Sequence, residues 1–226
     1  MTVSFHQYAK DFFPETGSLE SVGEGVGRGY TVNVPIKSGI DNTSYVNLFR
    51  RVMDRIMGSY RPDVVVVQCG ADSLSKDLLG GMNLTVQGHG ECLEVMKGFG
   101  VPLVLLGGGG YTIENVARCW TYETGLMLGH KIDNQIPLTD QFSYYYAKEN
   151  YKIHFEVNQP ENHNTREYLE FLEKQITEHL RSSEPRPSVG FHRPPSTHDF
   201  MDEEYEGNLG MRRMDEERRT RFFGNK

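Results

Sequence analysis

A chain of 226 residues is long enough for one ordinary domain, or for a core with a tail, and does not need disulfides or a metal to hold it together. Its formal charge of -7 and isoelectric point near 5.6 provide no global basic field, which argues against direct DNA binding. Three scattered cysteines (Cys69, Cys92, Cys119), the lack of a legible secretory leader, and apolar runs far shorter than the ~20 residues that span a bilayer point to a reducing compartment and no membrane partner.

Taken in chain order, Thr2 to Phe5 and Tyr30 to Val34 are short runs rich in strand formers. Tyr45, Leu48, Phe49, Val52 and Ile56 then recur at helical spacing after the capping residues Asp41 and Thr43, with Gly58 as the expected stop. Pro62 to Gln68 and Pro102 to Leu106 are continuous apolar runs of the kind expected in parallel strands buried on both faces. A helix is predicted between them over about Thr85 to Lys97, and others over Ile113 to Leu128 and Thr165 to Leu180. This alternation predicts an α/β fold, a three-layer open and mostly parallel sheet with helices on both faces. From Ser182 onward no apolar period survives. Proline, acidic and mixed-charge segments predict a disordered tail over 182–226, which agrees with the low 37% hydrophobic fraction, and leave 1–181 as the folded domain.

Ligands of open parallel sheets bind outside the carboxyl ends of the strands, so the residues after the two apolar runs are the first candidates. Asp72 follows the first run in Gln68-Cys69-Gly70-Ala71-Asp72-Ser73. Its carboxylate can serve as a hard oxygen ligand for a divalent cation or, more mundanely, as a helix cap. Gly107 to Gly110 follow the second run and let the backbone pass close to another group, with Tyr111 projecting from the turn. A tyrosine hydroxyl at such a place can donate to a developing oxyanion, or its ring can simply pack under the loop. Neither this stretch nor the alternating Gly23, Gly25, Gly27 and Gly29 meets a nucleotide-binding fingerprint.

QCGADSL (68–74), NLTVQGH (83–89) and GGGGYTIENVARCWTYET (107–124), with MTVSFH and FFPETG near the start, resemble the class I zinc-dependent histone deacetylases of the arginase/deacetylase fold, over Met1 to about Leu180. The resemblance implies hydrolysis of acetyl-lysine amides on protein substrates such as histone tails, with Asp72 as a zinc ligand and Tyr111 polarising the acetamide carbonyl. It also places Phe13, Leu79 and Gly109 along a narrow substrate channel, and Ser4, Phe5 and Tyr30 beside structural potassium ions. A nuclear setting, with the cytoplasm as a second one, and association with corepressor subunits follow from the same likeness.

The departures bear on activity. The family's His-His pair, its D-x-H zinc segment and a second channel phenylalanine are not found among the residues of this chain, whose eight histidines include no adjacent pair. About three protein ligands are usual at a catalytic zinc, so the chain alone is expected not to turn over. An internal methionine read as a start, or a split or truncated gene, is the expected explanation, and a non-catalytic interaction module from a deacetylase paralogue is the alternative. An incomplete sheet is also expected to expose an edge and apolar faces. Leu78 and Glu114 stand where inositol-phosphate-binding relatives carry arginines, which argues against that ligand. Glu15 replaces the glycine usual in FFPGTG.

Overall fold

The computed structural model describes residues 1–139 and 141–182, so the expected tail beyond Ser182 lies outside the described residues. Among the described residues four strands and four α-helices follow one another: β1 (Thr2–Gln7), β2 (Thr31–Ile36), α1 (Asn42–Tyr60), β3 (Val65–Gln68), α2 (Val86–Gly98), β4 (Leu103–Leu106), α3 (Ile113–Leu128) and α4 (Arg166–Ser182). Both strand pairings are parallel. β1 runs beside β2 from Thr2 opposite Thr31 to Gln7 opposite Ile36, and β3 beside β4 from Val65 opposite Leu103 to Gln68 opposite Leu106. The α/β class and parallel pairing match the sequence reading, and among the described residues the strands form two separate pairs.

The helix ends follow local chemistry. Asp41 caps α1 by accepting from the Ser44 amide at 2.8 Å, and Thr85 caps α2 by accepting from Gly88 at 3.0 Å. Gly58 does not stop α1. The helix runs to Tyr60 and closes on Arg61 in the left-handed region (φ 51°), because Pro62 disfavours helical backbone in the residue before it. Gly129 supplies the left-handed residue that ends α3.

The larger core lies around β2, which is buried without interruption from Val32 to Ile36. Leu48, Val52, Met53 and Ile56 of α1 and Leu169, Leu172 and Ile176 of α4 pack against it. Each such aliphatic side chain contributes about 1.5–3 kcal/mol on burial. Glu173 of α4 ties the two helices together by accepting from Arg51 at 2.6 Å and Arg55 at 2.8 Å, and the Tyr168 hydroxyl donates to the Pro35 carbonyl at 2.7 Å.

β3 and β4 differ from the sequence expectation. They bury alternate residues rather than both faces: Val66 is 60% and Leu106 51% exposed, while Val65 and Leu103 point into the core. Helices cover one side of this pair only, and the other presents an apolar face to solvent among the described residues. A second core of Ala71, Leu74, Leu84, Val86, Cys119, Ile153 and Phe155 joins the loops after β3 to α2, α3 and the 150s segment.

Candidate active site

The parallel pairing of β3 and β4 delivers their carboxyl-end loops side by side. The Cys69 amide donates to the Leu106 carbonyl at 2.9 Å and the Ala71 amide to the Gly109 carbonyl at 2.7 Å, so the two loops are joined by backbone hydrogen bonds. The glycines between them are required by space more than by dihedral angle. A β-carbon on Gly108 would strike the Gln68 amide and one on Gly109 the Asp72 carboxylate, whereas Gly110 alone of the four has a positive φ, 139°.

Asp72 sits in a short 3-10 turn (Ala71–Ser73) whose N-cap is Gly70, so it is not a helix cap. It is half-buried. Burial first, and then the nearby Asp77 carboxylate, push its carboxyl above the usual range, against which its own backbone hydrogen bonding and His89 pull down. A desolvated carboxylate aimed at open glycine backbone has much to gain from a cation. Tyr111 is 47% exposed, which excludes the reading of a ring packed beneath the loop.

The other expected site residues are more dispersed. Phe13, 90% exposed, lies in the loop after β1, and Leu79 is exposed on the loop after Asp72. The Ser4 hydroxyl lies 2.8 Å from His6 Nδ1, and Phe5 packs its ring on Phe49 and Tyr45 in the large core. Tyr30 meets Tyr60 edge-on at 6.2 Å, and its carbonyl accepts from the Thr2 amide. Leu78 is exposed and Glu114 occupies the first turn of α3.

Sequence reasoning missed a buried ionisable group behind Asp72. His89 of α2 contacts the Glu123 carboxylate of α3 through Nδ1 and the Gly70 carbonyl through Nε2 at 3.0 Å; the Cys119 sulfur completes the group. Trp120 Nε1 donates to the neighbouring Cys69 carbonyl at 2.8 Å, so α2 and α3 each pin one carbonyl of the loop that leads from β3 to Asp72. The signal was present in the helical spacing. His89 shares a stripe with Val86, Leu93 and Met96, and Glu123 one with Val116, Cys119 and Trp120, so both polar residues face inward.

Among the described residues the converging histidine, cysteine and carboxylate ligand atoms are those of His89, Cys119 and Glu123, a set that leaves Asp72 out. Both ring nitrogens of His89 already have protein partners, which makes this trio a satisfied buried network rather than an open metal site. Asp72 offers one hard ligand where a catalytic zinc takes about three, so the described residues do not complete such a centre by themselves.

Parallel strands that present a carboxylate and a tyrosine on adjoining glycine-lined loops define an α/β protein whose candidate site lies at the carboxyl ends of its strands. Within that class, residues 1–127 match the histone deacetylase domain, and the chain belongs to that family, whose members are zinc-dependent hydrolases. It is 47% identical over 205 residues to type-1 histone deacetylase 1 of Dictyostelium discoideum, covering 90% of this chain and 41% of that protein. It is 44% identical over 216 residues to histone deacetylase clr6 of Schizosaccharomyces pombe, covering 96% and 53%. Human histone deacetylase 1 is 48% identical over 189 residues, covering 84% and 39%. The chain thus spans about half or less of the length of these relatives.

Proposed function

We propose that this chain supplies one wall of a protein lysine deacetylase site. The observation that supports this most directly is the joining of the Asp72 and Tyr111 loops, Ala71 to Gly109, beneath an exposed tyrosine. Zinc in this family supplies an activated water, and Asp72 is the residue here that would hold it, with the other ligands coming from a different segment. The Tyr111 hydroxyl donates a hydrogen bond to the acyl oxygen as negative charge develops on it, a contribution that grows toward the transition state. Gly109 leaves room for the amide to approach, and Phe13 and Leu79 flank the methylene stem of the lysine. Ser4, Phe5 and Tyr30 are the residues that would lie near a structural potassium ion in this reading.

Acetylated histone tails are the substrates this reading favours, in the nucleus and secondarily in the cytoplasm, with corepressor subunits as partners. Leu78 offers an inositol phosphate no charge and no donor, and Glu114 offers a charge of the wrong sign. A graft tests the proposal: residues 1–182 replace the matching segment of the Schizosaccharomyces relative, and release of acetate from an acetyl-lysine peptide is followed. The 226-residue chain alone, given zinc, is expected to show no turnover, and the graft chelator-sensitive turnover. Tyr111→Phe should lower kcat of the graft on the order of a hundredfold or more, the scale of one lost oxyanion donor. A Tyr111→Phe graft as active as its parent would sink the proposal.

A further inference from the structure

Asp77 is absorbed by no role described so far, and it is the most heavily hydrogen-bonded carboxylate near the site. Oδ1 accepts from the Leu79 and Gly80 amides, each at 2.9 Å, and folds the 77–80 turn. Oδ2 reaches the other loop and accepts from the Tyr111 amide at 2.7 Å and the Thr112 amide at 3.3 Å. A fifth bond runs parallel to these, from the Thr112 hydroxyl to the Lys76 carbonyl at 2.8 Å. The N-cap of α3, Thr112, uses no side-chain oxygen of its own to satisfy the start of the helix. The Asp77 carboxylate does not bond the first-turn amides that such a cap would take; it accepts from the Tyr111 and Thr112 amides just ahead of them, where the positive end of the α3 dipole favours an anion.

We infer that Asp77 is the positioning residue for Tyr111, a carboxylate clasp that fixes the tyrosine's backbone to the loop carrying Asp72. Each oxygen serves one turn, so the carboxylate couples the two loops through a single rigid group. Its geometry also depends on Gly80, where any β-carbon would strike the Asp72 carbonyl, so the 77–80 turn is packed directly on the residue it helps to align. Asparagine cannot replace Asp77: its amide has one accepting oxygen and would turn an NH2 donor toward two N–H groups. Glutamate is a methylene too long for a turn that closes within three residues.

The catalytic meaning of the clasp rests on the reading of Tyr111 above; the clasp itself does not. Amide hydrogen exchange followed by mass spectrometry on the 226-residue chain therefore separates the two. In Asp77→Ala, peptides covering 107–112 and 78–81 should exchange on the order of tenfold to a hundredfold faster, the scale of lost hydrogen bonds to a charged acceptor, while β2 and α1 stay protected. Should the alanine variant lose protection everywhere, Asp77→Asn decides, with faster exchange expected at one of the two turns and β2 unchanged. Unaltered exchange at both turns in a variant whose β2 stays protected would overturn the inference. In the grafted enzyme, Asp77→Asn should lower kcat on the order of tenfold with KM within about twofold, as for a misplaced catalytic group. A fall in KM-dependent binding alone would also overturn it, whereas a parent graft without turnover would count against the functional reading and leave the exchange result standing.

Discussion

The β1–β2 half and the β3–β4 half of the molecule share parallel strands and amphipathic helices, yet they are built from different materials. Around β2 the interior is largely hydrocarbon: Val34, Ile36, Leu48 and Val52 are fully buried, and the rings of Phe5, Tyr45 and Phe49 pack against that cluster. Behind β3 and β4 the buried set includes Arg118, Asn115, Glu123 and Ser75, with His89 largely enclosed. Arg118 is held by the Lys152 carbonyl at 2.9 Å and Asn115 at 2.8 Å, under the rings of Tyr146 and Phe155. Buried ionisable networks seldom add net stability over an apolar replacement, but they fix backbone carbonyls and charges in place. One half is therefore packed hydrocarbon, and the other fixes the loop that carries Asp72.

The most severe way to break this division is to leave one member of the buried ion pair without its partner. Glu123→Ala should cost about 3–5 kcal/mol, because it strands His89 in an enclosed site, and a urea unfolding midpoint reads it. Ile36→Ala comes next, at about 2–5 kcal/mol for a fully buried isoleucine in the aliphatic half. Val66→Ala, on the exposed face of β3, should stay within about 0.5 kcal/mol. A Val66→Ala penalty as large as that of Ile36→Ala would mean that the open face is covered in solution.

Acidity separates the halves further. Burial disfavours charge on His89, but hydrogen bonds and charge from Cys119 and Glu123 outweigh it and hold the proton on well above the ordinary histidine range. A raised folded-state pKa gives stability that is fully present below about pH 6.5 and is lost as pH rises through the folded value. The urea midpoint should therefore fall with rising pH above about 6.5, at no more than about 1.4 kcal/mol per unit from this one group. Glu123→Gln should flatten that slope, while Ile36→Val should shift the midpoint at every pH and leave the slope intact.

The two halves were also unequally legible in the sequence. Helix starts at Asp41 and Thr85 and the span of α3 follow from capping residues and 3.6-residue periodicity, which act locally. The half-open burial of β3 and β4 did not follow, because VVVV and LVLL read the same whether one face or both are covered. Asp72 and Tyr111 stood out because they lie in the polar and glycine-rich segments that follow two apolar runs. Asp77 and the His89–Glu123 pair did not, since their meaning lies in partners 34 residues away in each case.

The smallest expected effect, a near-zero change in Lys76→Gly, is best seen beside Glu15: both are non-glycine residues in left-handed backbone, one in each half (Glu15 φ 61°, Lys76 φ 66°). For such residues the conformation costs about 1–2 kcal/mol, part of which glycine gives back through its freer unfolded chain. Glu15 is exposed in the loop after β1, so Glu15→Gly should stabilise by about 0.5–1 kcal/mol. Lys76 has the same backbone but a working side chain: its ammonium lies 2.8 Å from the Glu149 carboxylate and 5.6 Å from the centre of the Phe155 ring. A partly exposed ion pair of this kind is worth about 0.2–1 kcal/mol, so relief of strain and loss of the pair should nearly cancel in Lys76→Gly. Salt distinguishes the cases. About 1 M sodium chloride should screen the Lys76–Glu149 pair and turn Lys76→Gly into a net gain, while leaving the Glu15→Gly increment unchanged. Equal gains for both glycines at low salt would show that the Lys76 side chain contributes nothing to holding the site half together.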